Sequence, residues 1–210
     1  NIPSSENMIE TLVASITSPE DATHLGGMFN MYWDQTLRNY FQAINYTKEN
    51  ISEQTAILGA SMGGIIALSL MGLEKEINSS TPKINAGISL MGGGNFPKII
   101  ATSTLDEIKN LRDPILDKIK KDKTWLEEQL QGQIKFDPEN LTHRINGERL
   151  FLTIAGNDTC IPTGKDIKQL IPNLSKKNTW SMNGYNHKLA YTTVLAKKER
   201  IINFLDETLT

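Results

Sequence analysis

Residues 53–72 read EQTAILGASMGGIIALSLMG. A short apolar run, Ala56, Ile57 and Leu58, enters Gly59-Ala60-Ser61-Met62-Gly63, and a long apolar, helix-prone segment leaves it. A strand, a sharp turn presenting one serine, and a helix are the parts of a nucleophile elbow. Gly59 and Gly63 have no Cβ, so strand and helix can approach closely and Ser61 can sit in a strained backbone conformation. A helix starting at Met62 aims its N–H groups and positive dipole end at the spot where an oxyanion would develop. The competing reading is a glycine-rich turn whose serine only caps a helix.

On either side of this stretch, strand-like and helix-like segments alternate, which predicts an α/β protein with a mostly parallel sheet flanked by helices. Residues 11–16 (TLVASI) are β-branched and apolar and predict a strand. Residues 28–48 carry Met31, Leu37, Tyr40, Phe41 and Ile44 at helical spacing. Residues 84–91 (INAGISLM) predict the next strand, ending in Gly92, Gly93 and Gly94, where a backbone can pass close to a ligand. Residues 149–155 (RLFLTIA) predict a buried strand, 163–170 a short helix, 178–182 (NTWSM) a short strand and 188–209 a helix. Between 95 and 148 the chain turns charge-rich and helix-forming, too long a connection for a compact sheet. It predicts a helical cap inserted into a single domain spanning 1–210, over the C-terminal edge of the sheet. Surface helices with no part in the site are the other reading.

A serine needs a base to take its proton and an acid to orient that base. The chain has three histidines, His24, His143 and His187. Behind such an elbow the acid and then the histidine follow in chain order. His187 meets this requirement, on a loop past the strand NTWSM through Asn183-Gly184-Tyr185-Asn186. Asp158 lies just past the preceding strand, in Gly156-Asn157-Asp158-Thr159-Cys160, where a carboxylate can hold His187 in one tautomer. Asp137 lies in the cap and Asp166 on a helix face, so both fit less well as the acid. Cys160 reads as an inert thiol. His143 reads as a packing or hydrogen-bonding residue. His24-Leu25-Gly26-Gly27 faintly resembles an oxyanion loop, but it stands apart from strand TLVASI.

Composition narrows the partners. A net charge of −2 with scattered basic residues points away from nucleic acid and anionic membrane surfaces. No apolar run approaches the roughly 18–20 residues that span a bilayer. One cysteine forms no internal disulfide, and no group at metal-ligand spacing is visible, so neither a metal nor a cofactor is expected. A lone thiol and no visible export signal fit a cytoplasmic setting, although a removed signal leaves no trace. The triplet Asn157-Asp158-Thr159 is a glycan acceptor pattern, but a glycan there would crowd the site.

With these residues in place the chain resembles the α/β-hydrolase superfamily, and within it the dienelactone-hydrolase-like and acetyl-xylan-esterase-like serine hydrolases. Four stretches carry the resemblance: MYWDQTLRNYFQAINYTKE running into ISEQTAILGASMGG, ISLMGGGNF, FDPENLTHRI leading into LFLTIAGNDTCIP, and the loop from Gly184 to His187. They cover about residues 28–205, with an unmatched cap between them. The resemblance implies Ser61 as nucleophile, Asp158 as acid, His187 as base and the Met62 N–H as one oxyanion donor. It also implies further strands before 11–16, one of them bringing the second oxyanion N–H, and 60 residues before Ser61 are too few for them. The expectation is a missing N-terminal portion, with a reduced fold or a second chain completing the sheet as the other possibilities.

The implied activity is hydrolysis of a small carboxylic ester through an acyl-serine, with Gly92, Gly93, Gly94 and the cap shaping the substrate pocket. A thioesterase, acyltransferase or small peptidase would use the same three residues on another acyl group. A non-catalytic binding protein on the same fold would leave them idle.

Overall fold

A computed structural model describes residues 5–74 and 84–210, with backbone alone for 5–9. Three helices come first, α1 (Ser5–Ser15), α2 (Pro19–Ala22) and α3 (Leu25–Asn50). Strand β1 (Ala56–Ala60), helix α4 (Met62–Leu73) and strand β2 (Ala86–Leu90) follow. Helices α5 (Phe96–Thr102), α6 (Asp106–Ile119), α7 (Lys123–Leu130) and α8 (Pro138–Leu141) lead to β3 (Leu150–Ala155). The chain ends in α9 (Gly164–Leu170), β4 (Thr179–Met182), α10 (His187–Ala196) and α11 (Glu199–Leu209).

The strands form one parallel sheet in the order β1-β2-β3-β4, with Leu58 opposite Ile88, Ile88 opposite Phe151 and Thr153 opposite Trp180. Parallel neighbours need helical crossovers; these pack on one face of the sheet, and the two helices after β4 cover the other. Strands β2 and β3 are buried along their whole length, as strands covered on both faces must be. Leu150, Leu152 and Ile154 alternate toward a core shared with α3, α4, α5 and α6. Ala86, Ile88, Leu90 and Phe151 face the opposite way, onto Val194, Ile201 and Phe204 of the last two helices. The chain is therefore an α/β protein, as its segment pattern predicts.

Residues 11–16 are not a strand. Thr11, Leu12, Val13, Ala14 and Ser15 belong to α1 and Ile16 follows it. Leu12 and Val13 are half-buried and Ile16 fully so, a helical rather than an alternating spacing. The Lys118 ammonium meets the carbonyls of Val13 and Ala14 at the end of this helix. Among the described residues no strand pairs with the outer edge of β1, where Leu58 stands 60% exposed. In α3 the buried side chains are Leu25, Trp33, Leu37, Phe41 and Ile44, whereas Met31 and Tyr40 point to solvent. The helix expected over 188–209 begins at His187 and breaks at Lys197 and Lys198 into α10 and α11.

The helices of 95–148 join the main core. Phe96, Ile99, Ile108, Leu111 and Leu126 share one apolar cluster with Leu37 and Leu68. Arg112, 2% exposed, binds three carbonyls, those of Ile100, Ala101 and Ser103, at the C-terminal end of α5. A cation there meets the negative end of the helix dipole and satisfies carbonyls that the helix leaves free. Glu74 and Arg149 play a similar part at the base of the sheet, paired at 2.9 Å while both also bind the backbone of Ile84.

Candidate active site

Ser61 sits between β1 and α4 with φ 54° and ψ −120°, a conformation an L-residue adopts only where its surroundings impose it. Those surroundings are visible. The Ser61 N–H donates to the Leu90 carbonyl at 2.8 Å, and its own carbonyl accepts from Ile65 N–H at 3.1 Å, so the last rung of the sheet and the first turn of the helix both grip it. A Cβ on Gly59 would stand 2.0 Å from the Gly63 carbonyl oxygen. The close approach that the motif predicts is therefore real, but its two glycines are not equivalent, since a Cβ on Gly63 would meet nothing within 4 Å. The next glycine, Gly64, is the tighter one, against Gly92 and Ser89 Oγ, and that hydroxyl donates to the Gly64 carbonyl at 3.0 Å.

Asp158 and His187 lie past the ends of β3 and β4. Two backbone hydrogen bonds hold their loops together, from Gly156 N–H to the Met182 carbonyl (2.9 Å) and from Asn157 N–H to the Tyr185 carbonyl (2.8 Å). Gly156 allows this because a Cβ there would press on Asn183 and Gly184 at about the limit of contact. Gly184 turns the chain with φ 81°, which glycine accepts freely. Asn186 then caps α10 by accepting from Leu189 N–H, and His187 becomes its first residue. As a result His187 Nδ1 lies 2.7 Å from Asp158 Oδ2. The other carboxylate oxygen accepts from Cys160 N–H (2.8 Å) and Ile161 N–H (2.9 Å). The sequence places the acid, the histidine and the loop Asn183-Gly184-Tyr185-Asn186, but not the backbone bonds of Gly156 and Asn157 that tie the two loops together, which no local stretch signals.

The structure thus brings Asp158 and His187 into direct contact. Ser61 leaves the same C-terminal edge of the sheet two strands away from Asp158, and no hydrogen bond joins its side chain to His187. Met62 opens α4 immediately after it. Gly92, Gly93 and Gly94 are buried, and a Cβ on each would strike protein atoms: Ser89 and Gly64, Thr163 and Ile161, Ile167 and Glu139. What they permit in this structure is the approach of one protein segment to another.

Cys160 is half-buried, and burial pushes its thiol above the ordinary range, partly offset by the Thr104 hydroxyl. Its Sγ, an Asp158 oxygen and a His187 nitrogen lie within 4.8 Å of one another, a donor set of a kind that zinc uses. The imidazole and carboxylate already bind each other, so an ion would have to displace that bond.

The other candidates fall elsewhere. Asp137 is buried and accepts the N–H groups of Asn95 (2.8 Å), Phe96 (2.5 Å) and Glu139 (3.0 Å), which fixes the starts of α5 and α8. Asp166 is exposed on α9 beside Lys98. His143 is exposed and accepts from Arg144 Nε. His24 is exposed at the start of α3, with no side-chain capping bond. Asn157 is exposed with its backbone tied to Tyr185.

A second feature adjoins the elbow. An apolar cavity of about 450 Å³ lies between α1, α3, α4, α5 and α6, and Met62 and Ile66 form part of its wall. Phe96, also in the wall, stands edge-on to Phe29 (5.6 Å between ring centres) and to Trp33 (5.0 Å).

No protein-family model matches the chain, and no curated protein matches it. Among solved structures it is similar to a candidate lipase from Acinetobacter baumannii AYE, at 13% identity and a TM-score of 0.45, over 81% of this chain and 69% of that one. No helix among the described residues is long and apolar enough to cross a membrane.

Proposed function

We propose that this chain is a serine hydrolase that cleaves a carboxylic ester through an acyl-serine intermediate. The observation that carries this reading is the backbone of Ser61, strained at φ 54° between a strand and a helix, on the edge of the sheet where a carboxylate already orients an imidazole. Strain of this kind costs about 1–3 kcal/mol and persists at functional sites. A serine that merely capped α4 would accept a hydrogen bond from its first turn, and Ser61 makes no such bond.

In the proposed reaction His187 Nε2 takes the Ser61 hydroxyl proton as Oγ attacks the ester carbonyl. Asp158 keeps the Nδ1 proton in place and stabilises the imidazolium that forms. The Met62 N–H, at the first turn of α4, holds the oxyanion with one further donor. Collapse expels the alcohol, which receives the proton from His187. Water activated by the same imidazole then releases the acid and restores Ser61. This chemistry requires Ser61 Oγ and His187 Nε2 to meet when substrate is seated, since such bonds commonly tighten in the complex. Gly92 packs directly against Gly64, one turn into α4 from Ser61. The same three side chains serve the dienelactone-hydrolase-like and acetyl-xylan-esterase-like enzymes that the sequence resembles.

Replacing Ser61 with Ala tests the assignment. Hydrolysis of p-nitrophenyl acetate is expected to vanish while the far-ultraviolet circular dichroism spectrum stays unchanged, and a fluorophosphonate is expected to label Ser61 in the unaltered protein. Turnover surviving in Ser61→Ala would refute the reading.

A further inference from the structure

The apolar cavity beside Met62 has a composition that limits what can fill it. Its walls are the side chains of Phe29, Trp33, Met62, Ile66, Phe96 and Ile108, with others of similar character. Glu107 is the single charged residue among them, which disfavours an anionic guest. Met31 and Tyr32 on its rim are exposed, so it opens to solvent, and its apolar wall favours hydrocarbon over water. It measures about 450 Å³. Met62 and Ile66 stand one turn apart on α4 and share a face, so the wall begins one residue after the nucleophile and runs away from it along the helix.

We infer that this cavity takes an uncharged linear hydrocarbon chain carried by the ester substrate. The inference rests on the hydrolase reading only for the word substrate; binding of the chain stands on the cavity itself. Both the acyl and the alcohol part of an ester can bring such a chain to the serine, and the two are separable by experiment.

Binding is read first, by calorimetry with 1-octanol and 1-butanol on the unaltered protein. Each buried methylene is worth about a fourfold gain in affinity, so octanol is expected to bind at least about tenfold more tightly than butanol. Ile66→Trp, which fills the cavity from α4, is expected to erase that difference. Thr36→Trp, which fills it from the solvent side of α3, guards against a folding defect in the first variant. Equal binding of the two alcohols, or a preference unchanged in both variants, would overturn the inference.

Turnover is read second, as kcat/KM for p-nitrophenyl esters from acetate to decanoate and for acetates of alcohols from ethanol to decanol. A rise of at least about tenfold along one series supports the inference and identifies the part of the ester that carries the chain. Flat profiles in both series, with Ser61 labelled by fluorophosphonate, would overturn it. Absence of labelling would instead defeat the hydrolase reading, and the octanol measurement would then decide the cavity alone.

Discussion

Asp158 Oδ2 and His187 Nδ1 are 2.7 Å apart, and the second oxygen of the same carboxylate is fixed by two backbone N–H groups. The acid therefore cannot turn without giving up bonds on both oxygens. Asp158→Asn separates orientation from charge, because the amide oxygen can keep the two backbone bonds while its NH₂ faces His187. Nδ1 must then accept, Nε2 carries the proton, and the base is lost. A fall in kcat of about 10³–10⁴ is expected with the fold intact, measured on p-nitrophenyl acetate. A loss smaller than about tenfold would mean that Asp158 does not orient the base.

The elbow glycines give a second, sign-reversing test. A Cβ on Gly59 meets the backbone of Gly63 at 2.0 Å, and no side-chain rotation relieves it. Gly59→Ala is expected to cost about 1–3 kcal/mol in urea denaturation and to displace Ser61. Gly63→Ala meets nothing within 4 Å and lies in the first turn of α4, so it is expected to be neutral or to stabilise by up to about 1 kcal/mol. Similar costs for both would show that the motif's glycines serve flexibility rather than a single close contact.

This asymmetry shows how far the residues could be read directly. The elbow, the buried strands and the pairing of Asp158 with His187 were legible because each follows from local chemistry: a short apolar run, a turn, a loop at a strand end. Thr11 to Ile16 was not. Six residues, half of them β-branched, suit a strand or a helix, and packing on α6 decides for the helix. Met31 and Tyr40 shared a helical spacing with Phe41, yet a helix shows its neighbours only one stripe, and that stripe runs through Trp33, Leu37, Phe41 and Ile44. The role of Gly64 depends on Gly92 and Ser89, which meet it only once the sheet has formed. The apolar cavity draws its walls from five helices, and no local stretch of sequence announces it.

Cys160 lies close enough to Asp158 and His187 to raise the question of a thiol nucleophile. Burial raises its pKa, so the thiolate is scarce at neutral pH and the thiol a poor attacker. Cys160→Ala is expected to keep kcat/KM within about threefold of the unaltered protein, as removal of an inert thiol should. The unaltered thiol is expected to react slowly with Ellman's reagent. Complete loss of turnover in Cys160→Ala, with Ser61 still labelled, would move the nucleophile to sulfur.

Asp137 makes a prediction about acid and stability. Its carboxyl is buried, which raises its pKa above the usual carboxylate value, and the N–H groups of Glu139, Phe96 and Asn95 only partly offset the rise. A carboxyl whose pKa is higher folded than unfolded releases its proton more readily in the unfolded chain. It therefore contributes stability below the unfolded value of 3.8 and withdraws it as pH climbs through the raised folded value. Asn at this position cannot ionise, so Asp137→Asn lacks this pH dependence. Urea denaturation from pH 4 to pH 8 is expected to show the variant gaining on the unaltered protein as pH rises, whatever offset the lost N–H contacts impose at the acid end. A difference that stays constant would show that the three backbone donors balance burial, and one that widens in favour of Asp137 toward neutral pH that they outweigh it and hold the carboxylate charged.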